Sequence, residues 1–390
     1  MGDNIEKEFN NGSKPRVMVD LALDDPMRGD AKAVIGVGQR VAEMLDAEYV
    51  YVDNNALEGG PFPSITEYRA ALVAHAEEHG YPDILVDLNT FNLKPTAQRK
   101  GKQRTFEAGN VAEAMSTSKG LLMQDLVPHD LTPEIFEREG QEFERHYPEI
   151  KGDLVAVMMG GETDFSDDIA EQLASMAAMH DEVTFFVCPS RRTGEDYERF
   201  MASLQARIKG MDLDDRVHVI GQSYQEALEG YNPYAGLLAK SDHVVLHGDS
   251  HSIVSEALAT GKGIVLHKPT AHGNRLEGDY YDDLSKGGYV FYLTELMPFE
   301  RLPTVQKQPL NVTEETARNV VANFREWHAD PNAYDARVLT EGDEPEDGLR
   351  DDWRDDGEAP EGFHSDWEHE DGDEPDGFGT EWGDDHDLSF

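Results

Sequence analysis

Three short stretches of this sequence carry residue types suited to holding a diphosphate, and each follows an apolar run that reads as a strand. Ser190-Arg191-Arg192-Thr193-Gly194 follows residues 183–188. Its two guanidinium groups suit bidentate contact with a diphosphate, with the Ser190 and Thr193 hydroxyls as further donors. Gly160-Gly161 follows residues 154–159, and paired glycines let a phosphate approach the backbone N–H groups closely. Gly248-Asp249-Ser250-His251-Ser252 follows residues 243–246 and opens a helix predicted over 253–259. The N–H groups and positive dipole end of that helix favour an anion. Each stretch also has a plainer reading. The arginines suit surface ion pairs with Glu195 and Asp196, and Ser250 or Ser252 suits a helix cap. Glu256 is expected either to close the helix start in a capping box with Ser252 or to face a cleft and accept from sugar hydroxyls.

The elements that position these residues alternate. Strands are predicted at 154–159, 183–188, 217–220, 243–246 and 263–267, with helices over 168–179, 233–238 and 253–259. Asn232 is a good cap for the second of these helices, with Pro233 at its first position, and Gly261 closes the third. Such alternation implies parallel βαβ units, which place ligands at the carboxyl ends of the strands. The three turns therefore converge on one crevice, and a nucleotide-type ligand fits them best.

The first part of the chain alternates likewise. Strands are predicted at 17–19, 49–52 and 84–88, a short one at 120–123, and helices over 31–45 and 65–79 and from Pro133 onward. Gly36 and Gly38 weaken the first helix by up to about 1 kcal/mol each relative to alanine, a cost that close packing against a neighbour would explain. GVGQRV is no dinucleotide fingerprint, because its glycines lie inside a helix rather than opening one after a strand. After residue 267 come a strand at 289–293 and a helix over 313–328 ahead of Pro331. The expected fold class is α/β, with two Rossmann-like domains facing a cleft. Residues 1–14 form a flexible start, 15–150 the first domain, 151–335 the second with its terminal helix, and 336–390 a disordered acidic tail.

Charge narrows the partners. The chain of 390 residues has 34 Lys+Arg and 79 Asp+Glu, a net charge of −45. Residues 341–390 hold 22 acids and two bases, −20, so the rest keeps 57 acids and 32 bases, −25. That balance argues against general affinity for nucleic acid or an anionic membrane and suits a salt-rich, halophilic cytosol. The one cysteine, Cys188, allows no intrachain disulfide and reads as a small core residue. The start of the chain has no signal-peptide pattern, and no apolar run is long enough to span a bilayer, so a cytoplasmic protein is expected. Against this background Lys94, Arg99, Lys100, Lys102 and Arg104 stand within eleven residues with no acid among them. They suit either an anionic counterpart or a solvated loop that offsets nearby acids. The tail repeats Pro345, Pro360 and Pro375 at fifteen-residue spacing, each ahead of one of Trp353, Trp367 and Trp382. Aromatics at fixed intervals in an acidic segment suit short motifs that order on a protein partner.

NPYAGLLAKSD (232–242), GDSHSIVSEALATGK (248–262) and SRRTG (190–194) together resemble the ELM1 family, named for a plant mitochondrial-fission protein. The resemblance implies a two-domain glycosyltransferase-like fold of GT-B type, with a nucleotide-diphosphate sugar as donor and no cofactor. By that likeness Arg191 and Arg192 neutralise the diphosphate, the Gly160-Gly161 and Ser250–Ser252 backbones donate to it, Glu256 holds ribose hydroxyls, and Asn232 and Asp249 border the site. It also places a glycine-containing turn, Arg28-Gly29, against the cleft and carries the terminal helix back onto the first domain. No His/Cys ligand cluster suggests an essential metal. Candidates for a general base are Asp24 and Asp25, which also suit turn-forming caps, and His129, which is expected to titrate near neutrality unless it is an ordinary turn residue. The acceptor is unassigned; a glycan or other polyanion would suit the basic loop. The alternative is a non-catalytic interaction protein on the same scaffold, acting through its tail.

Overall fold

A strand covered by helices on both faces needs a continuous apolar run rather than an alternation, and residues 17–19 and 154–159 are such runs. The computed structural model describes residues 14–21, 29–87, 106–107, 126–160, 167–247, 250–267, 275–297 and 300–329. Residues 1–13, the basic loop at 94–104, the expected strand at 120–123 and the tail from 336 lie outside these ranges. In the first sheet, β1 (Arg16–Asp20) buries Val17, Met18 and Val19 completely. β2 (Glu48–Val52) and β3 (Ile84–Asp87) pair parallel on either side of it, and the two-residue β4 (Phe106–Glu107) lies beyond β3. The crossovers are α1 (Gly29–Leu45) and α2 (Ile65–His79). Ser64 caps α2 by accepting from the Glu67 N–H at 3.3 Å.

In the second sheet β5 (Asp153–Met159), β6 (Val183–Pro189), β7 (Val217–Gly221), β8 (His243–His247), β9 (Ile264–His267) and β10 (Val290–Tyr292) are all parallel, in the order β10-β9-β8-β5-β6-β7. The chain starts in the middle, winds outward through β6 and β7, then returns to the other side of β5. Its winding direction reverses between β5 and β8, which is where a doubly wound sheet opens a ligand crevice. The associated helices are α3 (Pro133–His146), α4 (Asp167–Ala177), α5 (Asp196–Gly210), α6 (Tyr224–Glu229), α7 (Tyr234–Lys240), α8 (His251–Leu258), α9 (Arg275–Lys286) and α10 (Val312–Ala329). β5 feeds both cores by strict alternation. Val155 and Val157 pack with Leu173 and Phe200 under α4 and α5, while Ala156 and Met158 pack with Phe143, Leu237 and Leu258 of α3, α7 and α8.

The two sheets exchange helices. α3 precedes residue 151 yet lies on α7, where Tyr231 donates to the Glu139 carbonyl at 3.2 Å and Phe143 meets Phe186 at 5.5 Å between ring centres. α10 follows the second sheet yet packs on α1, where Arg40 pairs with Glu314. This is the two-sheet, crossing-helix architecture that the resemblance implied. α1 also explains its glycines. A Cβ at Gly36 would stand 2.2 Å from the His129 carbonyl oxygen, and one at Gly38 would stand 2.1 Å from Val19 Cγ2. The loss of helix propensity is exchanged for close approach.

Candidate functional site

The tip of β5 is stitched to the tip of β6. The Gly160 carbonyl accepts from both the Ser190 and Thr193 hydroxyls at 2.8 Å, and the Ser190 N–H donates to Thr193 Oγ1 at 2.8 Å and to the Met159 carbonyl at 3.1 Å. Thr193 is buried, and Gly194 turns the chain at φ 55°, a left-handed conformation that favours glycine. The two hydroxyls expected to donate to a ligand are therefore engaged in building the turn. Arg191 and Arg192 are exposed at its apex. The sheet order sets β5 between β6 and β8, so the SRRTG turn, Gly160 and the start of α8 project from adjacent strand ends.

At the β8 tip, Ser250 caps α8, its hydroxyl oxygen accepting from the Ile253 N–H at 3.5 Å. Ser252 is half-buried one residue inside the helix. The expected capping box is absent here. Ser250 is the cap, so the box position falls on Ile253, and Glu256 lies four residues after Ser252 where a box requires three. A genuine box occurs at Ser223 and Glu226 ahead of α6. The exposed Asn232 side chain accepts from the Tyr234 N–H at 3.1 Å, but the residue at the cap position of α7 is Pro233, which makes no side-chain cap.

Glu256 is 2% exposed, and its partners come from both sheets. The Tyr234 hydroxyl donates to Oε2, and Lys32 from α1 stands 3.6 Å from Oε1 and 5.0 Å from the Tyr234 ring centre. Burial raises the Tyr234 pKa well above its usual value and the neighbouring carboxylate adds to the effect, so the phenol remains a donor. Beside them Val127 donates its N–H to the Ser255 hydroxyl at 2.9 Å. Asp130 has its carboxyl pushed upward by burial, with Lys32 pulling the other way. Sequence reasoning missed Lys32, Tyr234 and Asp130 as members of this cluster. Nothing local marks them, because they converge only when α1 packs against the second sheet.

His129 departs from its expected chemistry. It is 3% exposed, and burial pushes its pKa down to about 4 rather than near neutrality. Its backbone is held at both ends by Thr313, whose hydroxyl accepts from the His129 N–H and donates to the His129 carbonyl, each at 2.9 Å. The shift has a sign. The unfolded chain takes up this proton first as pH falls from 6.5 towards 4, so stability is full above that window and is lost within it. The loss should reach about 2 kcal/mol by pH 5, reduced by the raised Asp130 carboxyl, which acts in the opposite direction. Urea titrations at pH 7.5 and pH 5 check this, and His129→Gln should flatten the difference.

Cys188 lies in the core as expected, with its thiol pushed up to about 12 by burial. Gly29 opens α1. Asp24, Asp25, Arg28, Arg99, Lys100, Lys102, Arg104, Gly161 and Asp249 lie outside the described residues.

Fold and site together define a two-sheet α/β protein in which the SRRTG turn, Gly160 and the start of α8 project from adjacent strand ends of the doubly wound second sheet. The family described as Mitochondrial fission ELM1 matches residues 114–324. The chain belongs to that family. Among curated proteins, Uncharacterized protein RP120 of Rickettsia prowazekii (strain Madrid E) is 27% identical over 142 residues, 34% of this chain and 36% of that protein. The chain thus spans about a third of the length of the curated relative it matches. Solved structures similar to it include a UDP-GlcNAc 2-epimerase from Neisseria meningitidis bound to UDP-GlcNAc, 13% identical with TM-score 0.41, covering 84% of this chain and 98% of that one. A glycosyltransferase from Rickettsia africae ESF-5 is 11% identical with TM-score 0.34, covering 83% and 99%. A family 9 glycosyl transferase from Veillonella parvula is 11% identical with TM-score 0.39, covering 80% and 98%. Among the described residues no helix is long and apolar enough to cross a membrane.

Proposed function

We propose that this protein is a GT-B-type glycosyltransferase that uses a nucleotide-diphosphate sugar without a catalytic metal. The observation that carries the reading is the adjacency of three strand ends at the switch point of the second sheet: an exposed arginine pair, Gly160 and the capped start of α8. Arg191 and Arg192 neutralise the diphosphate, helped by the amides of α8 and of Gly160-Gly161, and the same groups stabilise its departure as leaving group. Asp249 and Asn232 border the nucleotide. A ribose hydroxyl displaces the loosely held Lys32 from Glu256 Oε1. Arg28-Gly29 and the basic loop at Arg99, Lys100, Lys102 and Arg104 face a glycan or other polyanionic acceptor, with Asp24 or Asp25 as base, in the cytoplasm. A thermal-shift screen of nucleotide sugars tests the proposal, since a ligand that binds only the folded chain raises its midpoint. At least one donor should do so, and Arg191→Ala with Arg192→Ala should weaken its binding at least tenfold, about 1.4 kcal/mol. The variant's own stability should move by no more than exposed substitutions usually do, about 0.5 kcal/mol for each arginine.

A second reading, a non-catalytic interaction protein working through the acidic tail, draws support from how many polar groups at the crevice are engaged internally. Ser190 and Thr193 bond Gly160, and Glu256 holds Tyr234 and Lys32. No midpoint change with any nucleotide sugar would select this reading over the first.

A further inference from the structure

We propose that Asp153, His180 and His243 form a site for one divalent transition-metal ion of Zn2+ type, at the amino-terminal edge of the second sheet and so at the opposite end from the sugar crevice. One donor atom from each side chain lies within 4.8 Å of the other two. Sheet register brings them together. His243 pairs with Val155 across β8 and β5, and Asp153 lies two residues before Val155, so both point to one face. His180 arrives from the turn between α4 and β6, where Val183 pairs with Asp153.

The surroundings resemble the outer sphere of a metal site more than that of a simple ion pair. His243 Nδ1 lies 3.2 Å from the Pro303 carbonyl, an oxygen that only accepts, so Nδ1 carries the proton and Nε2 presents its lone pair. Metal-binding histidines are fixed in this way. His180 Nδ1 lies 2.6 Å from Asp153 Oδ2, so without an ion these two donor atoms share one proton, which a bound cation would displace. Both rings are nine-tenths buried or more, whereas the Asp153 side chain is 47% exposed. Two imidazoles and a carboxylate suit Zn2+ or its neighbours, and the open side at Asp153 leaves a coordination position for water. Such an ion would tie the first residues of β5 and β8 to the turn that feeds β6. Its role there is structural.

The test uses the full chain, stripped by a chelator and titrated with Co2+ and then Zn2+. One equivalent of Co2+ should give the visible absorption of a four-coordinate nitrogen–oxygen site, Zn2+ should bleach it, and Zn2+ should raise the thermal midpoint. His243→Gln and Asp153→Asn should each weaken binding tenfold or more, while His218→Gln, on β7 at the edge of the same sheet and outside the cluster, should leave it unchanged. Absorption that is absent, or that persists undiminished in both cluster variants, overturns the proposal. Should His243→Gln fail to fold, Asp153→Asn at its half-exposed position carries the same comparison.

Discussion

Glu256→Ala is expected to destabilise the protein by about 3 kcal/mol, towards the low end of what removing one partner of a buried ion pair costs. The carboxylate is 2% exposed, and its loss leaves the Tyr234 hydroxyl and the Lys32 ammonium facing a void. Lys32 retains some water, with its side chain 20% exposed, which is why the upper end of the range does not apply. Glu256→Gln preserves shape and an acceptor for Tyr234, so its loss should be roughly half as large. Urea unfolding of both variants, read at constant slope, provides the check. A double-mutant cycle with Lys32→Ala should return a coupling of 1 kcal/mol or more. A Glu256→Ala loss below about 1 kcal/mol would mean that the pair across the two sheets contributes little to their union.

Gly36→Ala is the second large effect, and its sign opposes helix propensity. Alanine is favoured over glycine within a helix by about 1 kcal/mol. Here the new methyl would stand 2.2 Å from the His129 carbonyl oxygen and 2.5 Å from its carbon, both backbone atoms. That segment has little freedom to yield, because Thr313 holds His129 from the other side. Overpacking of this kind costs about 1–3 kcal/mol, and a clash with pinned backbone belongs at the top of that range. The net expectation is a loss of at least 2 kcal/mol, measured by urea unfolding. Gly210→Ala serves as the control: it closes α5 with nothing within 4 Å of the added carbon, so its change should stay within about 0.5 kcal/mol of zero. Equal behaviour of the two variants would refute the packing account of α1.

The second sheet was the most legible part of the chain, since residues 154–159, 183–188 and 243–246 are apolar runs bounded by turn residues and fold as β5, β6 and β8. Asn232-Pro233 announced α7 because the Asn232 side chain holds the Tyr234 N–H only two residues on. α5 was readable but unread. Tyr197, Phe200, Leu204 and Ile208 are buried at helical spacing, in a stretch whose charges drew attention to the arginines before it. α6 had its own box at Ser223 and Glu226, while the Ser252 box assigned to Glu256 failed on spacing. What no local pattern could show was which polar groups meet across the fold. Ser190 and Thr193 look like ligand donors until Gly160 is beside them, and Glu256 looks like a cap or a ribose acceptor until α1 brings Lys32 against it. The Asp153, His180 and His243 cluster has no sequence motif for the same reason, its members being brought together by strand register and by the turn that feeds β6.

The packing of α10 on α1 has a consequence for how the chain is made. Arg40 and Glu314 are 274 residues apart, and Thr313 must find His129 across 184. During translation the first sheet therefore emerges from the ribosome with one face of α1 bare, and remains so until after the whole second sheet has been synthesised. Contacts of such long sequence separation form late and slowly. Nascent chains halted before residue 312 should be the stage at which chaperones and proteases find this protein most vulnerable.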